Sequence, residues 1–362
     1  MNIIHVLEDF SFQSGGIRTV VLDLHKRLIS AGIKSKIVTP RIEKDDEVIK
    51  VDGEETLWCY SHNLIETLRV LYLNGEIDII HIHGVWMYPQ YAAAKFAKQK
   101  KIPFLITPHG MYEPWLWTQG AFKKKLYFNL VVKSVFSKAT CFHAITSNEA
   151  QEIQLLFPTT TAIEIPNLID SNLLSNSYYD GKERYILYVG RLDPKKGIDL
   201  LIRAFANLDM QDYKLKIVGK FNNYKLELDE LISQLGLEKR IEFLGFTTGL
   251  EKTETFRKAF VFVAPSHSEV VGMVNLEAAM AKTPVITTFQ TGLKKEWSNH
   301  GGILVNPNIK EIESGLKTAL SWSINERNMN GEKLYNFVVK NYSWQNRFSD
   351  WHMLYKGMLK SV

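Results

Sequence analysis

Glu269 and Glu277 lie in the run Ser266-His267-Ser268-Glu269-Val270-Val271-Gly272-Met273-Val274-Asn275-Leu276-Glu277, with seven residues between them. A loop holding the first and a helix holding the second bring two carboxylates and the free amides near Met273 and Val274 to one spot. Gly272 lets backbone come close to a ligand. Such a set suits a polyhydroxylated, phosphorylated ligand. Glu277, about one turn inside the helix, can accept from two hydroxyls, and Glu269 can reach a sugar. Read as plain structure, both glutamates are surface residues and the run through Ala281 is simply good helix sequence.

Three other runs carry similar potential. In Tyr188-Val189-Gly190-Arg191-Leu192-Asp193-Pro194-Lys195-Lys196-Gly197, a strand meets a glycine turn, then cations, then a helix start at Ile198. Arg191 offers a bidentate fork and Lys196 a point charge, together enough to neutralise a diphosphate. A solvated turn explains Lys195 well and Arg191 poorly. In Thr107-Pro108-His109-Gly110, His109 follows a strand and stands at the carboxyl edge of the sheet, where open α/β folds bind ligands. Gly15-Gly16 opens a helix after a loop, a place for close approach and for negative charge; a tight turn is the simpler reading of that pair. His81, His83 and His143 read as structural. His81 and His83 are expected on opposite faces of their strand, which argues against a shared metal, and no metal site is expected.

The elements that position these residues alternate between strand and helix. Ile3–Leu7, Lys36–Thr39, Ile79–Ile82, Phe104–Thr107 and Cys141–Ala144 read as strands, with helices over Arg18–Ala31, Leu64–Asn74, Pro89–Gln99, Gly120–Lys138 and Asn148–Phe157. The pattern restarts with strands at Tyr185–Val189, Lys214–Val218, Ile241–Phe243, Val261–Ala264 and Pro284–Thr287. Helices are expected at Ile198–Leu208, Lys225–Leu235, Thr253–Lys258, Val274–Ala281 and Ile309–Ser321. This is α/β architecture in two doubly wound units, breaking near Ile165-Pro166-Asn167. Tyr342–Val362 is amphipathic. No Gly-x-Gly-x-x-Gly or Walker run supports dinucleotide or P-loop binding.

The chain has 362 residues, comfortable for two domains. Two cysteines, Cys59 and Cys141, make no disulfide framework, so a reducing, cytoplasmic setting is expected. Neither a signal peptide nor a spanning helix is apparent. Between Trp86 and Thr140 stand nine lysines and one acid, Glu113, among aromatic residues. Lys123, Lys124, Lys125 and Trp115 mark this stretch as a candidate membrane side. The aromatic content favours an anionic membrane interface or an amphiphilic ligand over nucleic acid. A solvated helix face is the competing reading.

Together these runs resemble the retaining glycosyltransferases of family 4, which have the GT-B fold. The Gly15-Gly16 loop, Thr107-Pro108-His109-Gly110-Met111, Ile165-Pro166-Asn167, the Arg191–Gly197 run and the Glu269–Glu277 run occur in that family's order over nearly the whole chain. The version around Tyr112-Glu113-Pro114-Trp115 looks most like bacterial enzymes of surface polysaccharide. The resemblance implies two Rossmann-like domains facing across a cleft. Residues 1–166 would bind acceptor and 167–344 a nucleotide-sugar, with 345–362 crossing back to the first. It implies transfer of a hexose or N-acetylhexosamine from a nucleotide-sugar, a UDP-sugar favoured and a GDP-sugar also open, to a saccharide or lipid-linked acceptor. Configuration would be retained and no cofactor or metal needed. Arg191 and Lys196 would stabilise the leaving diphosphate beside Gly190 and the Gly272, Met273 and Val274 amides. Glu277 would hold the ribose, and Glu269 and His109 the sugar. Gly16 and Gly15 would border donor and acceptor.

The departures are Leu168 where glycine usually follows Pro-Asn, Val270-Val271 after Glu269, and Thr283 before Pro284. They touch the shape near the donor sugar. A nucleotide-sugar 2-epimerase, a phosphorylase and a non-catalytic carbohydrate-binding homologue remain alternatives. The oligomeric state is not legible.

Overall fold

The computed structural model describes residues 1–11, 14–42, 48–113, 121–170 and 179–360. The chain divides into two compact units, Met1–Asn167 with Phe348–Val362, and Leu168–Arg347.

The first unit is built on β1 (Asn2–Val6), β2 (Lys34–Thr39), β3 (Val48–Lys50), β4 (Ile79–His83), β5 (Phe104–Thr107), β6 (Cys141–Ala144) and β7 (Ala162–Glu164). They form one parallel sheet in the order β3-β2-β1-β4-β5-β6-β7. Its helices are α1 (Gly16–Ser30), α2 (Leu64–Leu73), α3 (Tyr88–Lys100), α4 (Ala121–Tyr127), α5 (Lys133–Phe136) and α6 (Ser147–Leu156). Phe128–Val132 between α4 and α5 is π-helical. The helix expected over Gly120–Lys138 therefore forms with one widened stretch, a feature often found at functional sites.

The second unit has β8 (Tyr185–Val189), β9 (Lys214–Val218), β10 (Ile241–Gly245), β11 (Val261–Ala264), β12 (Val285–Thr288) and β13 (Ile303–Val305). These are also parallel, in the order β10-β9-β8-β11-β12-β13. Around them run α7 (Ile198–Ala206), α8 (Tyr224–Gln234), α9 (Gly249–Arg257), α10 (Met273–Met280), α11 (Ile309–Leu320) and α12 (Ile324–Tyr342). The last helix, α13 (Trp344–Lys360), begins in the second unit and ends in the first.

Strands β4, β5, β6, β8, β11 and β12 are buried along their whole length. Helices on both faces of a parallel sheet require this, which is why these strands read as apolar runs. In the first unit Ile4, Val6, Ile80, Ile82, Phe104, Ile106 and Phe142 share one core. The alternate positions of the same strands include His5, His81, His83, Thr107 and His143, all nearly inaccessible, beside the apolar Ile3, Ile79, Leu105 and Cys141.

A buried polar layer must satisfy its own hydrogen bonds, and here the directions can be deduced. Burial holds His143 down to about 4 and His81 well below its ordinary value, so both are neutral near pH 7. His143 Nε2 lies 2.7 Å from the Ile165 carbonyl and must donate to it. Its Nδ1 is then an acceptor and takes the Thr107 hydroxyl proton at 2.9 Å. Thr107 Oγ1 in turn accepts from His81 Nε2 at 2.7 Å. His81 Nδ1 therefore accepts from the Tyr355 hydroxyl at 2.8 Å. One directed chain thus fastens α13 to β4, β5 and β6, with Trp351 packed 4.4 Å from the His143 ring. Tyr355→Phe leaves His81 Nδ1 as a buried acceptor without a donor. It should cost about 1–3 kcal/mol, read as a lowered urea midpoint; an unchanged midpoint contradicts the deduced chain.

Candidate functional site

In the second unit β8 is followed by Gly190, where a Cβ would stand 2.6 Å from the Tyr188 hydroxyl oxygen. The chain then forms a tight turn over Pro194–Lys196, capped by Asp193, whose carboxylate accepts from the Lys195 N–H at 2.8 Å. Gly197 takes φ 66, and a Cβ there would lie 2.3 Å from the Pro265 carbonyl oxygen. Only glycine lets this turn seat against the loop after β11. His267 N–H donates to the Lys195 carbonyl at 2.9 Å across the same contact.

The seating brings two of the expected residues together. The Lys196 ammonium pairs with the Glu269 carboxylate, both mostly buried. Ser266 Oγ donates to the same carboxylate oxygen at 3.0 Å, and the Glu269 N–H donates to the Gln290 carbonyl at 2.9 Å. Gly272 caps α10, whose opening residues Met273 and Val274 carry amides with no partner inside the helix. Arg191 is exposed, held through its carbonyl, which accepts from the Tyr188 hydroxyl at 2.9 Å. Its guanidinium makes no ion pair among the described residues.

Glu277 does not join Glu269 by a hydrogen bond among the described residues. It faces Lys252 of α9 instead, at 2.6 Å. Beside it Asn275 is fully buried with neither amide atom bonded. A buried amide without partners carries a desolvation cost that a ligand can offset.

In the first unit Gly15 takes φ 68 as the N-cap of α1, and a Cβ on Gly16 would meet nothing within 4 Å. Ser14 and Ile17 on either side line a cavity of about 430 Å³ with Glu8, Asp9, Arg41 and Trp58. Burial raises the Glu8 carboxyl, which accepts from Gln90 Nε2. His109 has φ 55 and Gly110 φ 77. Two successive left-handed residues, one with a side chain, store strain of the kind found at ligand sites. Glu149 holds this turn. Its carboxylate accepts from the Gly110 N–H at 2.6 Å and the Ile145 N–H at 2.7 Å.

The expectation that His81 and His83 point to opposite faces is wrong. Residues two apart on a strand share a face, because the side-chain period is two. Their rings lie 3.9 Å apart, and a nitrogen from each, with one from His5, falls within 4.8 Å. That spacing suits a metal, yet both His81 nitrogens are spent on Tyr355 and Thr107, and His5 Nδ1 bonds His83 Nε2 at 2.9 Å.

The description "Glycosyl transferases group 1" fits residues 174–336 and "Glycosyltransferase Family 4" fits residues 14–173. The chain belongs to the family 4 glycosyltransferases. An uncharacterized glycosyltransferase of Methanocaldococcus jannaschii is 37% identical over 178 residues, 48% of this chain and 45% of that protein. An uncharacterized 41.2 kDa protein from the cps region of Klebsiella pneumoniae is 24% identical over 84% of this chain and 86% of its own. Among solved structures the Anabaena protein HepE in complex with UDP-glucose superposes with a TM-score of 0.76 at 18% identity, covering both chains fully. The fold is GT-B.

In this glycosyltransferase the basic helix of the first unit has an inverted surface. Phe122, Leu126 and Leu130, four residues apart in succession, are exposed. Beside them an apolar hollow of about 510 Å³ is lined by Trp58, Trp86, Lys124, Tyr127 and Val131. Lys124 lies over the Trp86 ring at 5.8 Å and Lys125 is exposed. Trp115 and the Lys123 side chain lie outside the described residues. No helix among the described residues is long and apolar enough to cross a membrane.

Sequence reasoning missed Lys252, Asn275, Glu8 and Glu149. Only Glu149 left a signal, the Thr146-Ser147-Asn148-Glu149 cap motif. Burial raises Glu149 from 4.5 to about 7, more than its N–H partners lower it. The folded state then holds that proton more tightly than the unfolded chain. Its contribution to stability falls as pH rises from about 4.5 to about 7 and is flat above. Glu149→Gln should lack this slope in urea unfolding across that range. A wild-type-minus-variant difference that stays constant with pH contradicts the assignment.

Proposed function

We propose that this chain is a retaining glycosyltransferase that moves a hexose or N-acetylhexosamine from a UDP-sugar to a lipid-linked acceptor of bacterial surface polysaccharide. A GDP-sugar is the second choice of donor, and a free oligosaccharide the second choice of acceptor. The observation that carries the reading is the Lys196–Glu269 pair seated beside the α10 N-terminus, with Arg191 exposed nearby in sequence.

The second unit is read as the donor side. Lys196, Arg191 and the amides of Met273 and Val274 meet the diphosphate, which gains charge as it leaves. Those groups supply the positive charge, so we propose that no metal is needed. Glu269 takes the sugar hydroxyls and is held in place by Lys196 and Ser266. Glu277, steadied by Lys252, takes the ribose. The bond from the anomeric carbon to the diphosphate oxygen breaks as the acceptor oxygen bonds to that carbon on the same face. The acceptor proton passes to the departing phosphate oxygen. His109 contacts the transferred sugar.

The first unit is read as the acceptor side. Trp58 lines both the polar cavity near Gly15 and the apolar hollow beside Lys124. It is itself held at φ 65, followed by Cys59 at φ 50. A saccharide head in the first space and a hydrocarbon chain in the second would share this residue, which supports an amphiphilic acceptor. The exposed Phe122, Leu126 and Leu130 with neighbouring lysines support contact with an anionic membrane. The cps-region relative supports the pathway class.

A panel of UDP- and GDP-sugars with lipid-linked and free acceptors, read by mass spectrometry and anomeric NMR, tests this reading. One donor should give product of retained configuration and a free nucleoside diphosphate. Arg191→Ala should lower kcat/KM by about 100-fold. Inverted product, or conversion of donor without acceptor, contradicts it. For the membrane side, vesicle flotation should require anionic lipid, weaken with salt and fall in Leu130→Asp. Equal binding to neutral vesicles contradicts the electrostatic part.

A further inference from the structure

His109 is not alone at the sheet edge. Its Nε2 lies 3.0 Å from His83 Nδ1, and His83 Nε2 lies 2.9 Å from His5 Nδ1. At the inner end His5 Nε2 is buried with no partner. At the outer end His109 retains some exposed surface, and its Nδ1 has no partner among the described residues. The three rings stack in sequence, with centroids 5.2 and 5.3 Å apart.

Burial holds His5 and His109 at about 3 and His83 well below its ordinary value, so all three are neutral near pH 7. A neutral imidazole has one N–H and one lone pair. His83 must therefore donate to one neighbour and accept from the other, and the whole chain points one way. In one direction His5 Nε2 carries a proton inside the protein with nothing to receive it, and His109 Nδ1 is bare. In the other, His5 Nε2 is a lone pair and His109 carries its proton on Nδ1. Buried N–H groups without acceptors are rarer than buried acceptors without donors, so the second direction prevails.

We propose that His5 and His83 form a tautomer relay that keeps His109 protonated on Nδ1, and so a hydrogen-bond donor toward an oxygen of the bound sugar. The ligand side of this statement rests on the donor reading above; the tautomer itself does not. His83 and His5 act through His109 and are positioning residues. The relay also gives a reason for the strain at His109. The left-handed backbone keeps Nε2 on His83 while leaving Nδ1 open.

The test is a two-bond proton–nitrogen NMR correlation on the full chain labelled with ¹⁵N-histidine, with the His109 signal assigned by its loss in His109→Gln. Wild-type His109 should show the Nδ1–H tautomer. His83→Asn places an amide donor where Nδ1 stood and should keep that signature. His83→Leu should lose it, with kcat/KM lowered about tenfold, as for one lost hydrogen bond, and largely recovered in His83→Asn. An Nε2–H signature in wild type overturns the proposal, as does an unaltered Nδ1–H signature in His83→Leu. Should His83→Leu fail to fold, the wild-type spectrum alone decides the direction. The predicted tautomer combined with unchanged donor kinetics in His83→Leu would overturn the sugar contact and leave the relay standing.

Discussion

Both sheets are wholly parallel, and a parallel strand can only hand the chain on at its carboxyl edge. Everything chemical in this protein follows from that constraint. The loop before Gly15 follows β1, His109 follows β5, Arg191 and Lys196 follow β8, and Glu269 follows β11. Residues far apart in sequence are thereby delivered to one edge of each sheet. Lys196 and Glu269 come from adjacent strands, since β8 pairs directly with β11. Their ion pair is a consequence of strand order rather than of sequence proximity.

The same constraint buries both faces of each sheet, and the first unit sets polar side chains among the apolar ones of one face. Four imidazoles and a threonine hydroxyl stand where aliphatic side chains would be ordinary. They persist because their hydrogen bonds form directed chains rather than isolated pairs. One chain runs from Tyr355 to the Ile165 carbonyl and carries the α13 attachment. The other runs from His5 to His109 and ends at the sheet edge.

The strands centred on apolar runs were legible: Phe104–Thr107, Cys141–Ala144, Tyr185–Val189, Lys214–Val218 and Val261–Ala264 form as their composition requires. Strands β3, β7 and β13, of three residues each, carry too little pattern to read. Helix α12 escaped because its buried face holds Arg327, which donates to the Phe260, Ala259 and Lys282 carbonyls and reads as a surface residue. The misreading of His81 and His83 was an error of period, since positions i and i+2 on a strand share a face. At the candidate site the cations, glutamates and glycines were legible by type and spacing. Their partners were not. Lys252 and Asn275 lie in unremarkable helix sequence, and what marks them is a contact and a missing contact in three dimensions.

In the proposed reaction Lys196, fixed by Glu269, carries the charge of a departing diphosphate. Calorimetric titration of Lys196→Ala with the nucleoside diphosphate released by the active donor, and with the bare nucleoside, separates this charge contact from binding of the base and ribose. The diphosphate should bind the variant at least about tenfold more weakly than wild type, while the nucleoside binds both equally. Equal affinity of wild type and variant for the diphosphate would contradict it.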